Sequence, residues 1–236
     1  MTLYTVATPI GNLGDITLRA IETLKTVDLI VAEDTRHSRI LLDKYEINKP
    51  LDSFHAHSGS GKLESLIARL QKGENLALIT DAGTPGISDP GFLLISRARD
   101  CGIKIVPIPG ASAFLTALQA SGLPTDKFYY LGFLPIKKGR QTLLKSFLEE
   151  ERTIVFYESP YRIIKTLGQI AELMSERYIV VARELTKIHE EFVAGTAKEV
   201  YEVFKARAPK GEFVVMIAPG NFKTKQKTEC EEKAQE

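Results

Sequence analysis

Residues 75–91 read NLALITDAGTPGISDPG: a short apolar run, Asn75 to Thr80, and then a loop from Asp81 to Gly91 holding three glycines and two prolines. A run of this length, closed by turn residues, predicts a buried strand. In parallel sheets ligands bind outside the carboxyl ends of the strands. Glycine lets backbone approach a ligand closely, and proline holds a loop rigid. The loop contains no Lys or Arg. It therefore suits an uncharged nucleoside gripped by backbone groups better than a phosphate chain. A second loop, Pro107-Ile108-Pro109-Gly110-Ala111-Ser112-Ala113, follows another apolar strand, Ile103 to Ile108, and leads into a helix. Its small residues leave room for a flat ring, with Ser112 as a hydrogen-bonding group.

Working outward, Leu3 to Ala7 reads as a buried strand, followed by a turn at Pro9-Ile10-Gly11-Asn12. A helix from Thr17 to Thr26 leads into a strand, Asp28 to Ala32, and Leu63, Leu66, Ile67 and Leu70 mark one helix face. This alternation predicts an α/β domain with a mostly parallel sheet. Gly and Pro break the pattern at Ser121 to Thr125, a linker signal. Beyond it, strands are expected at Phe128–Leu131, Thr153–Tyr157, Tyr178–Ala182 and Phe213–Ala218, with a helix face at Ile163, Leu167, Ile170 and Met174. A strand at Glu190–Ala194 would make this second sheet mixed. The expected organisation is an N-terminal α/β domain over 1–120, a C-terminal α/β domain over 125–220, and a polar, disordered tail over 221–236.

Composition narrows the function classes. The 236 residues are 44% hydrophobic and 26% charged, as in globular proteins, and no apolar run reaches the length of a membrane span. The first residues lack a basic export signal. Cys101 and Cys230 have no metal spacing, and a reducing cytoplasm is expected. Net charge is only +1, so binding of nucleic acid would need a local basic patch, a dimer that enlarges it, or a structured partner.

Three familiar signatures fail. His57-Ser58-Gly59-Ser60-Gly61-Lys62 lacks the glycine and the Ser or Thr of a phosphate loop, and reads as a helix start. Gly11 and Gly14, with Glu33-Asp34 at the next strand end, give only a partial dinucleotide fingerprint, the best alternative enzyme class. His37, His55, His57 and His189 supply no helical metal pair, and His55 and His57 alternate like one strand face. No metal is expected.

Polar candidates for chemistry form two runs. Glu33-Asp34-Thr35-Arg36 ends a strand, and Arg183-Glu184, Lys187 and His189-Glu190-Glu191 follow another. Asp34, Arg36, Arg183, Lys187 and Glu190 are the catalytic candidates, as bases or cations that would help a weakly acidic hydroxyl attack. The run Lys137-Lys138-Gly139-Arg140 looks like a phosphate-contacting arm.

Taken in order, ATPIGNLGDITLRA (7–20), AEDTRHSR (32–39), TDAGTPGISDPG (80–91), PIPGASA (107–113), LGFLP (131–135), VFYESPYR (155–162) and ARELTKIHEE (182–191) resemble the tetrapyrrole-methylase superfamily, the class III S-adenosylmethionine methyltransferases. The resemblance covers Thr2 to Pro219, and the YESP run is similar to its RNA-modifying branch. It implies two α/β domains with S-adenosylmethionine in the cleft between them, and a homodimer. It also implies 2′-O-methylation of a cytidine in the decoding region of 16S rRNA in the small ribosomal subunit. The cofactor residues it implies are Pro9, Ile10 and Gly11; Ala82, Gly83, Thr84 and Ile87; Ser112 and Ala113; and Phe133, Glu158 and Leu185. Glu158 stands where the tetrapyrrole enzymes often carry an apolar residue. Two other readings stay open: a small-molecule methylase of the tetrapyrrole type, and a non-enzymatic nucleotide-binding module.

Overall fold

The computed structural model describes residues 1–207 and 209–223. The apolar runs of the first half become five strands, β1 (Thr2–Val6), β2 (Leu29–Ala32), β3 (Leu51–Ser53), β4 (Leu76–Leu78) and β5 (Lys104–Ile108), in the order β3-β2-β4-β1-β5. Every pairing in this sheet is parallel. Between them run α1 (Leu18–Thr26), α2 (Thr35–Lys44), α3 (Ser60–Gln71) and α4 (Gly91–Asp100), and α5 (Ala113–Ala120) follows β5.

Strand β2 shows why the sheet needs helices on both faces. All four of its residues are buried. Ile30 and Ala32 join a cluster with Ala20 and Leu24 of α1 and Leu41 and Leu42 of α2. Leu29 and Val31 join the opposite cluster, with Leu66, Ile67 and Leu70 of α3 and Leu94 and Ala98 of α4. The period-two alternation of a strand thus distributes one apolar run between two cores.

The second sheet comprises β6 (Phe128–Phe133), β7 (Thr153–Glu158), β8 (Tyr178–Arg183), β9 (Glu191–Thr196) and β10 (Phe213–Ile217), in the order β6-β7-β10-β8-β9. It is mixed: β6 and β7 are parallel, and the remaining pairs are antiparallel. Helices α6 (Arg140–Ser146), α7 (Ile163–Leu173) and α8 (Ala197–Lys205) share a core with Ile154, Phe156, Ile179, Val181 and Val215.

The chain divides into two compact units between Thr116 and Ala117, inside α5 rather than at the Gly/Pro-rich stretch that follows it. Two sequence-based expectations need adjustment. His55 and His57 lie in a turn after β3, not on a strand face. The edge strand expected at Glu190–Ala194 runs from Glu191 to Thr196, and β10, inserted between β7 and β8, adds further antiparallel pairs. The polar tail expected over 221–236, with Cys230, lies beyond the described residues after position 223.

Helix α8 depends on a reciprocal cap. The Thr196 hydroxyl accepts from the Glu199 amide at 3.3 Å, and Glu199 Oε2 accepts from the Thr196 amide at 2.8 Å. Thr196→Ala removes half of this box and should lower stability by about 1 kcal/mol, read as a shift in the urea unfolding midpoint.

Candidate active site

The order β4-β1-β5 sets three strand exits side by side, and hydrogen bonds tie the loops that leave them. Thr8 and Gly83 exchange backbone bonds of 2.9 and 3.1 Å, forming an isolated bridge between the first loop and the long one. The Thr8 hydroxyl, itself buried, donates to Thr80 O at 3.0 Å. Thr84 Oγ1 donates to Ala111 O at 3.2 Å and joins the long loop to the loop after β5. Ala7 N donates to Ile108 O at 3.2 Å, and a Cβ added at Gly110 would meet Ala7 Cβ at 3.0 Å, so only glycine fits easily at that approach.

The long loop also organises itself. Asp89 accepts from the amides of Gly86 at 2.7 Å and Gly91 at 2.6 Å. Burial, the largest effect, holds its carboxyl above the ordinary range, and these amides pull the other way. Asp81 Oδ1 accepts from the Asp34 amide at 3.0 Å and links the loop to the exit of β2.

Within the first unit, the loop residues expected at the cofactor come together around this junction. Pro9 and Ile10 are buried beside exposed Gly11. Ala82 and Ile87 are exposed, Gly83 is buried, and Thr84, Ser112 and Ala113 are half-buried. Gly83 has φ +86°, and a Cβ there would stand 3.5 Å from Ile10 Cγ2 and 3.8 Å from Ala111 O. Backbone and small groups of the three loops therefore meet at this point, and groups of that kind suit the nucleoside portion of S-adenosylmethionine.

At the exit of β2 lies an acidic run. Asp34 caps α2, accepting from the Arg36 amide at 2.8 Å, and binds the Arg36 guanidinium through both oxygens at 3.2 and 2.8 Å. The Arg36 side chain hydrogen bond, followed by the backbone one, holds Asp34 far below the ordinary carboxylate range. Glu33 is the opposite case. Burial, then the charges of Asp81 and Asp89, push its carboxyl up against a 3.0 Å hydrogen bond from Thr80 Oγ1.

In the second unit, Phe133 is 56% exposed at the end of β6, and Leu185 is buried at the turn after β8. The Glu158 side chain is not free for a cofactor. It is wholly buried at the end of β7, where Oε1 meets Arg162 Nη2 at 2.7 Å and the Ser159 amide at 2.8 Å. Its Oε2 accepts from Thr166 Oγ1 at 2.7 Å. Strand alternation explains this: Glu158 shares the face of Ile154 and Phe156, which is the helix-covered core face.

The catalytic candidates of this unit share the β8–β9 turn but pair with other groups. Arg183 donates to Lys210 O at 2.6 Å and faces Glu191 at 3.5 Å. Lys187 Nζ bonds Glu184 at 3.0 Å and Glu212 at 2.8 Å. Glu190 Oε2 accepts from the Thr186 amide at 2.5 Å. Glu184 and Thr186 adopt φ of 50° and 65°, so the turn holds two non-glycine residues in the left-handed region.

The basic run needs a correction. Arg140 is only 6% exposed and donates inward to Gln169 Oε1, Pro135 O and Thr166 Oγ1. It is a core residue, and only Lys137 and Lys138 of that run are exposed cations. Sequence reading missed Thr8 and Asp89 as organisers. Asp89, two residues before Gly91 at a helix start, carries a legible signal, because Asp commonly bonds the amide two residues on. Thr8 carries none.

Comparison with known proteins agrees with this geometry. Residues 2–201 match the family model Tetrapyrrole (Corrin/Porphyrin) Methylases, and the chain belongs to that family of S-adenosylmethionine-dependent methyltransferases. It is similar to ribosomal RNA small subunit methyltransferase I of Synechocystis, with 52% identity over 92% of this chain and 78% of the relative. The Thermotoga maritima protein of the same name is 45% identical over 92% of this chain and 97% of its own. Among solved structures, a cobalt precorrin-4 methyltransferase shares the fold with TM-score 0.69 and 16% identity, covering 92% of this chain and 94% of that one.

The Glu33 environment predicts a pH-dependent stability. A carboxyl whose folded-state pKa is raised contributes stability below its unfolded value, and that contribution is lost as pH rises through the folded value. Glu33→Gln should therefore raise Tm at pH 7 and leave it unchanged below about pH 4, as thermal unfolding across that range will show.

Proposed function

We propose that this chain transfers a methyl group from S-adenosylmethionine to the 2′-oxygen of a cytidine ribose in 16S rRNA, on the assembled small ribosomal subunit. The observation that carries the reading is the three-loop junction at adjacent strand exits, free of Lys and Arg over 81–91, in a chain about half identical to curated relatives named for ribosomal RNA methylation. The cofactor supplies a methyl group on a positively charged sulfur, open to in-line attack by a hydroxyl oxygen.

The residues of this chain then have separable tasks. Pro9, Ile10, Gly11, Ala82, Gly83, Thr84, Ile87, Ser112 and Ala113 hold the nucleoside through backbone and small side chains. Phe133 and Leu185 are the cofactor residues proposed from the second unit, while the Glu158 side chain is committed to Arg162, Ser159 and Thr166. At the β2 exit, Glu33 is a better proton acceptor than Asp34, because burial favours its protonated form while Asp34 is committed to Arg36. Arg36, 90% exposed at its side chain, presents a fixed positive charge to the substrate side. Arg183, Lys187 and Glu190 shape the β8–β9 turn as a polar surface for RNA. Lys137 and Lys138 contact phosphates. With a net charge of +1, a folded ribonucleoprotein particle is a better substrate than naked RNA, and a homodimer doubles the basic surface. Among the described residues no helix is long and apolar enough to cross a membrane, and action in the cytoplasm follows from the ribosomal substrate.

Ala113→Phe tests the cofactor site more cleanly than any change at Gly83, whose φ of +86° strains every other residue. It should abolish S-adenosylhomocysteine binding by calorimetry while Tm stays near the parent value. With labelled donor and small subunits, the label should appear as 2′-O-methylcytidine by mass spectrometry of the digested rRNA. Glu33→Gln, Asp34→Ala or Lys187→Ala should lower turnover with donor binding intact. Label on a base would refute the ribose assignment, and label only on an added porphyrinoid would move the chain to the small-molecule reading favoured by its weak charge.

A further inference from the structure

The strands of the first sheet all run parallel, so they all release their chains on one edge. The exits of β4, β1 and β5 carry the stitched loops. Those of β2 and β3 lie beside them and are tied in turn. The Phe54 amide donates to Ala32 O at 2.8 Å, and the Asp34 amide donates to Asp81 at 3.0 Å. One edge is thus divided between two kinds of chain. Residues 81–91 hold no cation, whereas the chain leaving β2 places Arg36, His37 and Arg39 on the exposed side of α2. The turn leaving β3, from Phe54 to Lys62, holds no carboxylate and exposes His55 and His57.

The fold gives no reason for the cations on α2. Its first turn contains no acidic residue, and a positive charge near the amino end of a helix opposes the helix dipole. Asp34 offsets Arg36. Arg39 forms no hydrogen bond or ion pair among the described residues, not even with Asp43 one helical turn on. Arg19 and Arg99 share this freedom, but every remaining described arginine bonds a protein oxygen. At the β3 turn, the preceding carboxylate, Asp52, is occupied by Lys62 at 2.5 Å. His55 Nδ1 accepts from the His57 amide at 3.2 Å, which leaves Nε2 as the donor of that ring. The two exits therefore present donors for which the first unit supplies no acceptors. A nucleic-acid backbone is made of such acceptors.

We propose that the exits of β2 and β3 seat the RNA backbone, with Arg39 on a phosphate and the His55–His57 turn on neighbouring sugar and phosphate oxygens. The polynucleotide then lies along the same edge as the three stitched loops. The proposal rests on the RNA reading given above and adds to it a contact surface on the first unit, beyond Lys137 and Lys138.

Methylation of small ribosomal subunits with labelled donor tests it, set beside calorimetry of S-adenosylhomocysteine binding. Arg39→Gln changes an exposed, unpartnered side chain, so Tm should stay at the parent value. It should raise KM for the subunits about tenfold and leave kcat and S-adenosylhomocysteine affinity unchanged. It should also lower the slope of log KM against log salt by about one. His55→Gln combined with His57→Gln should likewise raise KM with kcat unchanged. Arg99→Gln is the control. Arg99 is equally unpartnered but lies in the last turn of α4, which starts at Gly91 and so ends away from the strand exits. Its loss should alter nothing. An unchanged KM in Arg39→Gln or in the histidine double variant overturns the proposal. So does an equal response to Arg99→Gln, which would make the effect one of net charge alone. Lost S-adenosylhomocysteine affinity in Arg39→Gln would overturn it too, by putting Arg39 in the donor site. A native protein that binds S-adenosylhomocysteine yet leaves small subunits unlabelled would instead overturn the RNA reading itself, and this surface with it.

Discussion

The geometry of the first unit hangs on Thr8. Its backbone exchanges two hydrogen bonds with Gly83, and its hydroxyl reaches back to Thr80 O. Without that stitch the loops after β1 and β4 would be independent excursions from a sheet. With it, a loop of eleven residues, 81–91, is fixed at its beginning by Thr8, at Thr84 by the Ala111 carbonyl, and at its end by Asp89. Parallel strand order makes this possible, because the neighbours β4, β1 and β5 release their chains on the same edge and within hydrogen-bond reach.

The second unit solves a similar problem by different means. Its corresponding irregular segment leaves β6. A buried carboxylate and two arginines hold it instead. Buried ion pairs contribute little net stability when compared with apolar packing, since desolvation offsets attraction, but removing one partner leaves a charge stranded in the core. Such a cluster specifies a geometry more than it strengthens a fold. The helix-facing position of Glu158 on β7 is what lets one carboxylate serve both α7 and, through the arginines, the chain after β6.

How far these arrangements were legible in the sequence follows from their chemistry. Apolar runs such as 75–80 and 213–218 fixed the strands, and the glycine and proline punctuation at 81–91 pointed to a ligand loop. Strand β3 was invisible because Leu51-Asp52-Ser53 is short and polar and becomes a strand only by pairing with β2. Helix α2 was obscured because Thr35 to Arg39 reads as a charged run, although Asp34 is a sound cap and Leu41 and Leu42 supply its buried face. Arg140 was misread for a related reason. Its neighbours Lys137 and Lys138 are exposed, and sequence adjacency cannot reveal that the next cation, at the start of α6, meets Thr166 and Gln169. Buried polar partnerships join residues 26 and 29 positions apart, and no local pattern announces them.

The absence of cations from residues 81–91 has a consequence for how the enzyme would respond to its surroundings. Phosphate contacts of the kind proposed for Lys137 and Lys138 release condensed counterions, and their strength falls steeply as ionic strength rises. Grips made by amides, carbonyls and small side chains release none. On the proposed reading, the two ligands would therefore be held by forces with different sensitivities to the ionic medium. A rise in electrolyte would then loosen the large particle first and leave the small molecule in its place, so that the chain would part from RNA still charged with its methyl donor.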